Sequence, residues 1–265
     1  MRVDVYPKRV FTFVESRPGE DIYEIRVMLR DVPGALAKTA NVIAEAGINI
    51  KTSIVFASLP NEKQGFWTAF IDVSNSKIGI DELTEKLNAL DVVLNAQIVK
   101  PKPAAYDIMH FPIQHGEERA VVMPISLLKN LFEEIEKILT PSGFAAVFYN
   151  AGKRSGENFA KYYREKFNPK TKEELAELLF LCTGAIGWGR VETYSLDLNR
   201  ISGKVRLVGN IEGAMRNKGA EPVCHWTRGF LTGYLSIATG REIEVKEIKC
   251  IGKGDEYCEF QLEAK

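Results

Sequence analysis

The run Pro101-Lys102-Pro103-Ala104-Ala105 limits the fold more than any other feature of this chain. Each proline removes a backbone donor and pushes its predecessor toward extended geometry, so neither a helix nor an interior strand passes through the run. It predicts a linker over 101–109 between two separately folded parts, residues 21–100 and residues 110–265. A second break at Arg17-Pro18-Gly19 sets off residues 1–20 as a short β-rich leader. The chain has 265 residues, enough for two ordinary domains. Apolar residues make up 45% and charged residues 26%, which excludes disordered and collagen-like chains. Lys plus Arg and Asp plus Glu both number 35, so a large phosphate-binding surface is not expected and no nucleic-acid partner is predicted. No apolar run is long enough to span a bilayer, and the first residues lack the pattern of a signal peptide. These features predict a cytoplasmic protein with no membrane partner.

The first part switches cleanly between periods. Residues 22–29 alternate as a half-buried strand, Asp31-Val32-Pro33-Gly34 is turn chemistry, and Leu36, Thr39, Ala40 and Ile43 fall at helical spacing in 35–46. Gly47 suits the left-handed position that stops that helix. Strands follow over 48–58 and 66–73, then a helix over 82–90 with Asp81 as its N-cap, then a strand over 92–99. The order βαββαβ is that of a ferredoxin-like sandwich.

With that order, the segments Arg30-Asp31-Val32-Pro33-Gly34-Ala35-Leu36 and Gly47-Ile48-Asn49-Ile50 resemble the ACT domain family. The resemblance implies a regulatory domain that pairs with a second copy and binds an amino acid or related effector. It implies an effector site at Asp31, Val32, Pro33, Gly34, Ala35 and Leu36, with Asn49 nearby. The residues support such a loop independently. A strand-to-helix turn exposes backbone N–H groups, and the helix dipole favours a carboxylate there. Gly34 permits close approach, and Asp31 can accept from an α-ammonium. The alternative is that Asp31 caps the helix and Gly34 only turns the chain.

The second part predicts helices over 126–139, 144–167 and 171–182, with Pro141-Ser142-Gly143 breaking the first from the second. Gly152 and Gly156, four apart inside a helix, imply a close neighbour, either a packed helix or a ligand. A hairpin over 188–198 and 204–211 turns at Ser202-Gly203. A helix over 224–239 ends at Gly240, and strands 242–250 and 257–262 flank Gly252-Lys253-Gly254-Asp255. The predicted fold class is α+β: a ferredoxin-like domain followed by an α/β sensor-type domain with helices packed on an antiparallel sheet.

Cys182, Cys224, Cys250 and Cys258 all lie in the last third of the chain. Outside an extracellular framework, such clustering points to metal ligation or core packing. Hairpin pairing brings Cys250 near Cys258, and Cys224 stands at a helix start, where the dipole favours thiolate. Glu247 precedes Cys250 by three residues, so strand alternation turns it away unless a bulge intervenes. Three thiolates and a carboxylate close a tetrahedral zinc site, which is structural rather than catalytic. His225 or water is the alternative fourth ligand, and plain packing the alternative for the thiols. Cys182 has an apolar helical context and reads as packing.

The spacing Cys224, Glu247, Cys250, Cys258, with the Cys-His-Trp run from Cys224 and Gly254-Asp255-Glu256-Tyr257-Cys258, closely resembles the 4-vinyl reductase domain family. That family is similar to the sensor domains of aromatic-responsive bacterial activators and to a trafficking-complex subunit fold. In zinc-bearing relatives the matching three cysteines and glutamate hold the ion. The resemblance also implies a hydrophobic cavity, with Phe148, Tyr149, Gly152, Leu178, Trp188, Trp226 and Tyr234 as candidate lining. The expected function is a small-molecule-sensing regulator, a homodimer read by an unidentified protein partner. The alternatives are an accessory subunit in tetrapyrrole vinyl reduction and a structural adaptor. Enzymatic activity has little support: no Ser-His-Asp spacing, paired carboxylates or dinucleotide loop is evident.

Overall fold

The computed structural model describes residues 10–56, 63–216, 219 and 221–265. They form two compact units that meet in sequence at Val121 and Val122.

The first unit contains β1 (Ile22–Arg30), α1 (Ala35–Glu45), β2 (Asn49–Phe56), β3 (Gln64–Asp72), α2 (Ile80–Asn88) and β4 (Val93–Val99). Its sheet order is β2-β3-β1-β4. Alternation decides which side chains face the helices: Ile25, Val27 and Leu29 of β1 pack with Ile43 of α1 and with Leu83 and Leu87 of α2. Asp81 does not cap α2; the helix opens one residue before it, on Gly79, with Asp81 and Glu82 in the first turn. The end of the strand expected over 48–58 and the first nine residues of the leader lie outside the described residues.

The other face of this sheet is also covered. Phe11 stacks on Phe70 at 5.0 Å between ring centroids, and the Val14 N–H donates to the Ala105 carbonyl at 2.9 Å. Ile22, Phe70 and Ala105 are buried together there, with Phe11 and Val14 against them. Residues over the expected linker thus return across the sheet, because its second face is apolar and needs cover. The unit continues through β5 (Gln114–His115) and β6 (Glu118–Arg119) to Val121, well past residue 100.

The second unit contains α3 (Ile125–Ile138), α4 (Pro141–Phe167), α5 (Lys172–Ala185), β7 (Arg190–Asp197), β8 (Ser202–Val208), α6 (Ile211–Ala214), α7 (His225–Thr239), β9 (Ile243–Lys249) and β10 (Cys258–Ala264). Its antiparallel sheet runs β7-β8-β10-β9. Pro141 opens α4 rather than breaking the chain: it lacks only an N–H that a first turn leaves unpaired, and Thr140 caps the helix from Gly143 N–H at 3.1 Å. Ser202 and Gly203 belong to β8, and the turn falls on 198–201.

Helices α4 and α7 touch backbone to backbone. A Cβ on Gly152 would stand 2.2 Å from the Trp226 carbonyl oxygen, and one on Gly229 would stand 2.0 Å from that of Tyr149. Gly156 and Gly233 meet Phe230 and Lys153 in the same way. The close neighbour implied by the spaced glycines is therefore a helix. The molecule is α+β throughout.

Candidate functional site

Cys224 is the N-cap residue of α7, Cys250 follows β9, and Cys258 opens β10. All three are fully buried. The Cys224 Sγ lies 3.7 Å from both the Cys250 and the Cys258 Sγ. One ligand atom from each of these residues and from Glu247 falls within 4.8 Å of all the others. The bulge that Glu247 requires is present: Glu259 pairs with Lys249 and Phe260 with Glu247, which leaves Ile248 as the extra residue on β9. Glu247 then holds two positions at once. Its Oε2 accepts from the Cys224 N–H at 2.9 Å, while its Oε1 is buried without a hydrogen-bond partner. A Cβ on Gly213 of α6 would meet the Cys224 and Cys258 sulfurs at 3.3 Å, so only glycine closes the cluster this tightly on that side.

The donor set fits zinc. With Zn–S near 2.3 Å, the sulfur–sulfur edge of a tetrahedron is about 3.8 Å, close to the observed separation and far from a disulfide of about 2 Å. Burial pushes the Glu247 carboxyl up to about 8. Contact with Cys250 and Cys258, reinforced by burial, holds the Cys224 thiol well above its ordinary range. A dication would stabilise the deprotonated form of both. His225 stands outside this set, edge-on to Phe144 at 6.2 Å, and burial followed by the charges of Arg228 and Arg216 lowers its pKa to about 4. Cys182 also stands apart on α5, where its sulfur accepts from the Tyr163 hydroxyl at 2.6 Å.

A cavity of about 250 Å³ lies beside the same helix, walled by α4, α5, α7 and the β7–β8 side of the sheet. Phe159, Tyr163, Phe180, Trp188, Trp226 and Phe230 supply its aromatic wall, and Thr183 and Thr227 its polar points. The Trp188 indole N–H donates to Thr227 Oγ1 at 3.0 Å, and the Trp188 and Trp226 rings lie 4.3 Å apart.

Of the expected lining residues, the structure brings Trp188 and Trp226 to this cavity. Phe148 packs instead with Phe132, Phe144 and Met215. Tyr149 borders a surface cleft, with the Arg228 guanidinium 4.9 Å from its ring. Gly152 is consumed by the helix contact, and Leu178 packs against the core outside the cavity. Tyr234 is fully buried and donates to the Leu175 carbonyl at 2.8 Å. Sequence reasoning missed Phe159, Tyr163 and Phe230. The signal was there in spacing, since Phe159 and Tyr163 are one helical turn apart and Phe230 is one turn beyond Trp226.

In the first unit, Gly34 adopts φ 85° ahead of α1, and no side chain caps that helix. Asp31 is therefore not a cap; it is exposed with Val32, Pro33 and Leu36, while Ala35 is buried. Asn49 does not join this loop within the chain. It aligns with Asp72 and through it with Ile22, whereas the loop follows Arg30 at the opposite end of β1. The reason is topological: α1 carries the chain back to the start of β1, so β2 runs parallel to it.

The ACT domain family model matches residues 23–92, and the 4-vinyl reductase domain model matches residues 205–264. MJ0150, an uncharacterised protein of Methanocaldococcus jannaschii, is 29% identical over 173 residues, which is 64% of this chain and 93% of that protein. The transcriptional regulatory protein XylR of Pseudomonas putida is 28% identical over 158 residues, 54% of this chain but only 27% of XylR. Among solved structures, the phenol-responsive sensory domain of the transcription activator PoxR, determined with phenol, superposes with a TM-score of 0.52 and 23% identity, covering 58% of this chain and 80% of that one. In fold and in sequence, then, this chain carries an ACT domain followed by a 4-vinyl reductase domain.

Proposed function

We propose that this chain is a small-molecule-sensing regulatory protein whose 4-vinyl reductase domain encloses a small aromatic molecule and is folded around one structural zinc. Cys224, Glu247, Cys250 and Cys258 are the ligands in this reading. The observation that carries it is the aromatic cavity with its Trp188–Thr227 polar point, set on the helix whose N-cap is Cys224. An apolar cavity of about 150 Å³ already accepts benzene, so about 250 Å³ accommodates a substituted ring. Similarity to the sensory domain of PoxR and to part of XylR supports the regulatory reading. The ACT domain serves as the pairing unit, with Asp31–Leu36 as a loop for an amino acid carboxylate, and a protein partner reads the state of the whole.

Native mass spectrometry with elemental analysis tests the metal. One zinc per chain is expected; Cys258→Ser loses it and Cys182→Ser keeps it. Identical metal content in the two variants would return the cysteines to core packing. Phenol titration followed by tryptophan fluorescence tests the cavity. Saturable quenching is expected, weakened by Trp188→Phe, which removes the indole donor. Silence from phenol and methylphenols at millimolar concentration defeats the sensing reading.

A further inference from the structure

Residues 105–110 lie as a strap across the face of the first unit's sheet that α1 and α2 leave open. Arg26 of β1 donates to the Met109 carbonyl at 3.1 Å, and its other terminal nitrogen meets Gln97 of β4. Glu24 of β1 is fully buried beneath the strap, and its Oε2 accepts from the Ile108 N–H at 3.0 Å. Its Oε1 is buried without a hydrogen-bond partner and lies 3.6 Å from His110 Nδ1. On the strap, Asp107 Oδ1 accepts from the Met109 and His110 N–H groups and lies 2.9 Å from His110 Nδ1. The imidazole packs against Phe56 of β2, with ring centroids 5.3 Å apart. A buried carboxylate is costly unless a cation pairs with it. The charges facing His110 are Glu24, Asp107 and, farther along β1, Arg26.

We propose that a proton on His110 fastens this strap: the doubly protonated imidazole joins Asp107 on the strap to Glu24 on the sheet, and the strap loosens when that proton leaves. Contact with Glu24, then with Asp107, holds the His110 pKa above its ordinary value against the opposing effect of burial. The sign follows. Strap stabilisation is present in full below about 6.5, the histidine value of an unfolded chain, and is lost as pH rises through the raised value. The same three side chains can be read as a cation site. A metal-bound histidine, however, usually gives its second ring nitrogen to a hydrogen-bond partner, and His110 Nε2 is buried without one.

The test is nuclear magnetic resonance of the full chain. The His110 ring is titrated, and amide exchange at Ile108 and Met109 is followed as a ratio to Val27 of the same sheet. His110 is expected to titrate above the ordinary histidine value, and strap protection to fall through the same interval, about tenfold for each unit of upward shift. Glu24→Gln is expected to lower the titration point; should it disturb folding, Asp107→Asn serves the same purpose from the exposed side. His110→Gln is expected to leave the exchange ratio flat with pH. The proposal is overturned by titration at or below the ordinary value, by a pH-independent ratio in the parent chain, or by selective broadening of the His110 signals with equimolar Mn²⁺, which would mark a metal site instead.

Discussion

Glu212 lies wholly buried under the first turn of α7 and accepts from the Trp226 N–H, the Thr227 N–H and the Thr227 hydroxyl, each at 2.9 Å. It supplies the cap that α7 lacks from its own N-cap residue, since Cys224 makes no such bond. Burial pushes its carboxyl up to about 7 from an ordinary 4.5, while the Thr227 and Trp226 donors pull the other way. Between those two values the folded state holds a proton that the unfolded chain has released. Stability of the second unit therefore declines as pH rises from about 4.5 through about 7, by up to about 3 kcal/mol from this group. Glu212→Gln should flatten that part of the profile in denaturant titrations at several pH values; an unchanged slope would mean that the carboxyl titrates normally. Glu212→Ala should cost about 1–2 kcal/mol through the lost cap. Nothing in the sequence marked this residue, because its partners lie 14 and 15 residues downstream and the link forms only on folding.

Between elements, the contact of α4 with α7 is the least forgiving surface. Alanine favours an isolated helix over glycine by about 1 kcal/mol, but a Cβ on Gly229 would lie 2.0 Å from a backbone oxygen that has no room to retreat. Gly229→Ala should lower stability by about 1–3 kcal/mol or more, whereas Gly184→Ala in α5, which meets nothing within 4 Å, should raise it by up to about 1 kcal/mol. Thermal melts of the two variants compare them directly, and equal shifts would refute the close contact. Elements were legible where the signal is local. Period-two alternation marked β1 and β3, and glycines four apart told of a tight neighbour. The need for a bulge beside Glu247 followed from strand alternation alone. Illegible were features set by distant partners. Pro141 reads as a stop until Thr140 is seen to cap, and the second face of the first sheet is closed by Phe11 on Phe70, a pair far apart in the chain. The cavity was legible only in its two tryptophans. Which face of α4 it borders depends on where the glycines seat α7, and no single helix pattern carries that.

At the scale of the molecule, two cores with separate contents should melt separately. Calorimetry of the full chain should show two transitions, and residues 122–265 alone should reproduce one of them. If the metal proposal holds, a chelator should lower that transition and leave the other in place; a shift of both would deny the confinement of the metal to the second unit. Light scattering should report a dimer for the full chain and a monomer for residues 122–265, and a monomeric full chain would refute pairing through the ACT domain. Among the described residues no helix is long and apolar enough to cross a membrane. One helix, α7, begins on a sulfur of the metal cluster and places Trp226 and Thr227 on the cavity within its first turn. Whatever binds at one end therefore bears on the other, and the two affinities are bound by a single coupling constant. If zinc tightens the hold on an aromatic guest by some factor, that guest must tighten the hold on zinc by the same factor, so the metal content of this protein becomes a readout of its ligand.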